Sequence, residues 1–235
     1  MKTTFYSADS RGKMDFGWLK ANYSFSFANY YNPERIHFGK LRVLNDDSIA
    51  GGMGFGKHPH ENMEIITIPL KGSLKHKDST GNSGIIGPNE VQIMSAGKGI
   101  EHSEMNHLKN DVTKLLQIWI FPKEYDIEPR YEQQYFEPEH RKNTWQPVVS
   151  NRHMGAMNIN QDAVLSLTTL EKGKSLDYTI NYEGNGVFFY VINGKVNLNG
   201  ELLAERDAMG VEEIENTTFT AEEDTYLLAI EVPMN

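Results

Sequence analysis

Two short segments, His58-Pro59-His60 and His102-Ser103-Glu104, each set a pair of metal-capable side chains two residues apart. In an extended strand successive side chains alternate, so residues i and i+2 project from one face with Cα atoms about 6–7 Å apart, close enough to converge on one ion. Brought together, the two segments offer three imidazoles and a carboxylate as one candidate ligand set. Such a set leaves a divalent ion with net positive charge and with open positions for water, substrate or dioxygen, so chemistry can take place there.

The rest of the composition narrows that chemistry. The chain has no cysteine, which excludes disulfides, thiol catalysis and thiolate metal sites and leaves only nitrogen and oxygen donors. One divalent transition metal ion is the expected cofactor, with iron taken first and copper, nickel, manganese, zinc and cobalt as alternatives. Seven of the eight histidines precede residue 145, so metal chemistry belongs to the first half. The net charge of −9 is as uneven: residues 1–144 carry 18 Lys+Arg against 18 Asp+Glu, and residues 145–235 carry 5 against 14. An acidic half, and no basic cluster in the other, argue against direct nucleic-acid binding. No stretch approaches the roughly 18 apolar residues of a membrane span, and the first residues lack the apolar run of a secretory signal; a cytoplasmic location is expected.

The elements that must position these residues are strands. Short extended runs punctuated by Gly, Asn, Asp and Pro, with little helical periodicity, indicate an all-β sandwich or barrel. In the first half the expected strands are Leu41 to Leu44, Asn62 to Leu70, Ser73 to Asp78, Val91 to Met94, Glu101 to Met105 and Leu115 to Phe121. Turn chemistry separates them at Asn45-Asp46-Asp47, Gly51-Gly52, Thr80-Gly81-Asn82, Gly87-Pro88-Asn89 and Ala96-Gly97-Lys98-Gly99. The second half follows the same pattern, with strands expected at Val187 to Ile192, Lys195 to Leu198, Thr217 to Thr220 and Tyr226 to Val232, and with Asn193-Gly194 and Asn199-Gly200 each suited to a two-residue hairpin turn. The polar, proline-spaced stretch from Pro122 to Pro147 reads as a connection containing a short helix. At 235 residues, 39% of them hydrophobic, the chain can bury the cores of two β-units in tandem.

Gly52 followed after five residues by His58-x-His60, three residues and Glu64 resembles the first motif of the cupin superfamily. The second motif is altered, and in a particular way. His58-Pro59-His60 together with Gly97-Lys98-Gly99-Ile100-Glu101-His102-Ser103-Glu104 resembles the pirin branch, and the likeness extends through Gly17-Trp18-Leu19, Ser24-Phe25-Ser26-Phe27-Ala28, Leu41-Arg42-Val43-Leu44-Asn45-Asp46-Asp47 and Gln117-Ile118-Trp119-Ile120. It implies a bicupin, two tandem double-stranded β-helix (jelly-roll) barrels: a metal-binding domain over 1–130, a connecting segment over 131–146 and a degenerate domain without metal ligands over 147–235. It also implies His58, His60, His102 and Glu104 as ligands. The implied activity is that of a quercetin 2,3-dioxygenase, a flavonol-like small aromatic substrate being opened with O2 while Glu104 takes the proton of its 3-hydroxyl. The resemblance equally allows a non-enzymatic metal-binding or redox-sensing protein that acts through protein partners.

Other candidates carry lesser roles. Glu64 is the ligand of the general cupin pattern; with Glu104 in that position, Glu64 is left to orient a ligand imidazole or to close a barrel end by accepting backbone N–H groups. His76 shares a face with Leu74 and Asp78 and either contacts substrate or serves as a hydrogen-bonded structural histidine. His37, His107, His140 and His153 lack partner spacing. The aromatic cluster Tyr23-Ser24-Phe25-Ser26-Phe27 with Tyr30-Tyr31 is expected in core or at an interdomain seam.

Overall fold

The computed structural model describes residues 1–235 and consists almost wholly of strands. The chain opens with β1 (Lys2–Tyr6), β2 (Gly12–Asp15), β3 (Leu19–Tyr23), β4 (Leu41–Ile49), β5 (Gly54–His60), β6 (Glu64–Lys71) and β7 (Leu74–Asp78). It continues through β8 (Ser83–Ile86), β9 (Glu90–Ser95), β10 (Ile100–Asn106), β11 (Thr113–Ile120) and β12 (Arg130–Tyr135). Strands β2 to β12 build one barrel from two sheets, a seven-stranded β12-β9-β6-β11-β4-β3-β2 and a four-stranded β5-β10-β7-β8.

The second half supplies β13 (Gln146–Ser150), β14 (Val164–Leu170), β15 (Ser175–Thr179), β16 (Asn185–Asn193), β17 (Val196–Leu198), β18 (Glu201–Leu203), β19 (Ala208–Glu212), β20 (Asn216–Ala221) and β21 (Thr225–Pro233). Its sheets are β1-β19-β16-β21-β14-β13 and β15-β20-β17-β18. These are the two tandem jelly-roll barrels expected of the sequence. No helix is long and apolar enough to cross a membrane.

Two strands cut across the expected partition at 130 and 147. β1, at the start of the chain, pairs with β19 and so extends a sheet of the second barrel. β12 lies in the expected connecting segment yet pairs with β9 through Arg130↔Ser95 to Tyr135↔Glu90, closing the edge of the first. The short helix expected there is the single turn Pro138–Arg141.

Strand alternation sets which side chains face the seam between barrels and which face inward. On β6 and β11, Ile66, Ile68, Leu116, Ile118 and Ile120 join Phe25, Leu44, Phe188, Tyr190 and Ile230 in a buried cluster of 27 residues where the two large sheets pack together. Between them, Thr67, Gln117 and Trp119 point the other way, into the first barrel, where Thr67 and Gln117 meet Glu104. The second barrel is filled by Tyr178, Phe189, Phe219, Leu198, Val211 and their neighbours.

Two turn assignments change. Asn45-Asp46-Asp47 is the interior of β4, paired on both sides with β3 and β11. Tertiary partners override its turn preference: Asp46 Oδ2 lies 3.3 Å from Arg206 Nε and 3.5 Å from Arg11 Nη1, and accepts a 3.2 Å hydrogen bond from Tyr190. Asn199-Gly200 does turn a hairpin between β17 and β18, with φ of 52° and 92°. Asn193-Gly194 does not; there the chain leaves β16 for β17 in the opposite sheet.

Candidate metal centre

β5 enters from the bend at Gly51-Gly52, and Gly54 shows why no side chain is tolerated: a Cβ there would lie 2.2 Å from the Glu104 carbonyl oxygen. This close approach lets β5 pair with β10, placing His58 opposite His102, with a bulge between His102 and Glu104. The rings of His58, His60 and His102 stand 4.4 to 4.9 Å apart, and their ligand nitrogens lie within 4.8 Å of one another.

The protonation states suit ligation. His58 Nδ1 lies 2.7 Å from the Gly56 carbonyl oxygen, which can only accept, so in the neutral ring the proton sits on Nδ1 and Nε2 is the nitrogen left to ligate. Burial, with His58 alongside, pulls His60 down to about 4; burial, with His58 and His60 alongside, pulls His102 to about 2. Both are therefore neutral near pH 7, the form that binds a cation. His102 is 1% exposed and neither of its ring nitrogens has a hydrogen-bond partner. An orphaned imidazole flanked by two others, with only N and O donors about, is a site that a divalent transition metal ion fits.

Glu104 projects inward one pleat further along β10, opposite His76 on β7. Its carboxylate accepts hydrogen bonds from Gln117 Nε2 at 2.9 Å and Thr67 Oγ1 at 3.3 Å. Burial pushes it up to about 7 although those bonds oppose the rise. Its ligand oxygen groups with His76 and His102 within 4.8 Å, so His102 belongs to two overlapping trios, one at the mouth and one inside. His76 is itself buried, 3.1 Å from Asp78 Oδ2 and stacked on Tyr131.

Glu64 lies elsewhere. It shares its strand face with Ile66 and Ile68, toward the seam, and accepts from Ser95 Oγ at 2.8 Å and the Asn160 backbone N–H at 3.2 Å. It ties the barrels together and orients no imidazole. His37, His107 and His140 are exposed, and His153 bonds Asn181 in the second half.

The trio His58, His60 and His102 opens onto a cavity of about 180 Å³ whose walls include Leu19, Tyr23, Phe27, Phe55 and Trp119. The aromatic cluster is thus divided: Phe25 packs at the seam, while Tyr23 and Phe27 face the cavity. Sequence reasoning missed Asn45 and Asp47, which also line it. Burial, with Asp46 and Glu104 near, pushes the Asp47 carboxyl up to about 8. The available signal was their i, i+2 spacing, the same that marked the histidines.

Comparison with known proteins agrees with this architecture. The family model described as Pirin matches residues 5–120, and that of the quercetinase C-terminal cupin domain matches residues 148–232. A quercetin 2,3-dioxygenase of Escherichia coli (strain K12) is 40% identical over 96% of this chain and 96% of its own. A pirin-like protein of Caulobacter vibrioides is 38% identical over 95% and 96%. The crystal structure of the bacterial pirin YhhW from Escherichia coli in complex with nickel(II) superposes with a TM-score of 0.93, 37% identity and 99% coverage of both chains.

Proposed function

Since this chain belongs to the pirin family of bicupins, we propose that it is a metal-dependent dioxygenase that opens the ring of a flavonol such as quercetin with O2. The observation that carries the reading is the opening of three converging imidazoles onto an aromatic-walled cavity with a buried carboxylate behind them. His58, His60, His102 and Glu104 would hold the ion. Iron is our first choice because this donor set suits oxygen-activating Fe(II); the nickel held by the Escherichia coli pirin supports a divalent ion in general. A bound ion would polarise a substrate oxygen and lower the cost of its deprotonation.

The chain's own residues supply the rest. Leu19, Tyr23, Phe27, Phe55 and Trp119 provide apolar faces for an aromatic ring and exclude water, which strengthens every charge interaction inside. Glu104, buried behind the imidazoles, is the carboxylate placed to take a hydroxyl proton from a substrate in the cavity. The hydrogen bonds from Gln117 and Thr67 fix its orientation and favour its charged form before the proton arrives.

Oxygen uptake and carbon monoxide release with quercetin, measured on protein loaded in turn with Fe(II), Ni(II), Mn(II) and Cu(II), test the reading. Turnover that needs the metal and disappears on chelation is expected. Absence of turnover with every metal would leave the chain a binding protein.

A further inference from the structure

β4 carries Asn-Asp-Asp in mid-strand, residues that disfavour strands, and the two that face inward have no partner. Asn45 is 3% and Asp47 4% exposed; Oδ1 of each lacks any hydrogen-bond partner, and both side chains line the cavity beside the three imidazoles. A buried polar atom left unpaired costs about 1–3 kcal/mol. Asp46 between them is clasped by Arg206 and Tyr190 of the other barrel and by Arg11 just before β2, so the strand that presents the pair is held in register from both sides of the seam. On β11, which neighbours β4, Trp119 also lines the cavity, and its Nε1–H is buried without a partner.

Local preference broken at such cost, in a cavity wall, marks a place where a ligand completes the hydrogen bonds. We infer that Asn45 and Asp47 form a recognition wall for an aromatic ring bearing two separated hydroxyl groups, the hydroxyls donating to the two Oδ1 atoms while Trp119 Nε1–H donates to a further oxygen of the ligand. The Asn45 amide oxygen can only accept, and the Asp47 carboxyl keeps an accepting oxygen whether or not it carries a proton, so the pair favours two O–H donors over two ethers. Their i, i+2 spacing, about 6–7 Å between Cα atoms, suits hydroxyls in meta relation better than adjacent ones. A cavity of about 180 Å³ takes one ring, since one of about 150 Å³ holds benzene. This deepens the flavonol reading and takes its substrate class from it.

The test is calorimetric binding of resorcinol and of 1,3-dimethoxybenzene to nickel-loaded protein under nitrogen. A meta-diol cannot chelate the ion but can bind it through one oxygen, so it is the part of the hydroxyl preference removed in the leucine variants below that reports the wall. Resorcinol is expected to bind at least about tenfold tighter, the worth of two ordinary hydrogen bonds. In Asn45→Leu and Asp47→Leu the preference should fall toward unity with no loss of thermal stability, because unpaired buried polar atoms are being removed. Equal binding of both compounds by the unaltered protein overturns the inference, and so does a preference that survives in the folded leucine variants. Binding is read without turnover: hydroxyl preference in a protein that leaves quercetin intact would sink the dioxygenase and spare the wall, and turnover without preference would do the reverse.

Discussion

The two barrels share an architecture and differ in what fills them. Inside the second, Tyr178, Phe189 and Phe219 pack ring against ring, at 5.3 and 4.6 Å, with Leu198, Val211 and Leu227 around them. Inside the first, the corresponding space holds Thr67, His76, Gln92, His102, Glu104 and Gln117, with Asn45 and Asp47 on the wall. The second interior is filled by aromatic and aliphatic side chains. The first accepts unpaired buried polar atoms at His102, His76, Gln92, Asn45 and Asp47. A fold of this kind is therefore a frame, and the choice of inward residues decides whether it is a core or a site.

Breaking each interior in turn should expose that division. The largest effect is expected from His102→Ala, which removes the ring common to both trios: metal content by elemental analysis should fall to background and flavonol turnover with it, by more than the about 10–100-fold that merely orienting residues are worth. Glu104→Gln should keep most of the metal and slow turnover about 100- to 10,000-fold, the range for a lost general base; unchanged turnover would remove that role. Phe219→Ala, in the other barrel, should cost about 3–5 kcal/mol in denaturant unfolding while the folded protein retains its metal stoichiometry.

Asp47→Asn sharpens the comparison through pH. With its carboxyl moved from an ordinary 3.8 up to about 8, folded Asp47 keeps a proton that the unfolded chain releases, so this group's contribution to stability declines as pH rises from 3.8 toward 8. In metal-free protein the variant should gain on the parent across that window, by at most about 1.4 kcal/mol per pH unit, and level off above it, read as the difference between two denaturation series. The smallest effect is expected from Tyr190→Phe, which removes one hydrogen bond to Asp46 and one from Arg11 but leaves both arginines beside Asp46: about 1–2 kcal/mol, with metal binding unchanged.

The side-chain pairs that converge in the first barrel were legible because alternation along a strand is a local rule, and His58-Pro59-His60 and His102-Ser103-Glu104 obey it without help from the rest of the chain. Strand positions were legible for the same reason; Val91 to Met94 and Tyr226 to Val232 lie within β9 and β21. What escaped depends on distant partners. Asn45-Asp46-Asp47 reads as a turn until Arg11, Arg206 and Tyr190 are brought to Asp46, and β1 cannot be assigned to the second barrel without β19 beside it. Glu64 misled by spacing alone: it matches a ligand pattern, but β6 turns that face toward the seam and sends Thr67 inward instead.

Anomalous scattering at the iron edge, from crystals of the unaltered protein grown with one equivalent of Fe(II) under nitrogen, tests the central claim most directly. The account predicts a single peak bounded by the imidazoles of His58, His60 and His102 and the carboxylate of Glu104. A peak held by His76, His102 and Glu104 without His58 and His60, or one in the second barrel, would contradict it.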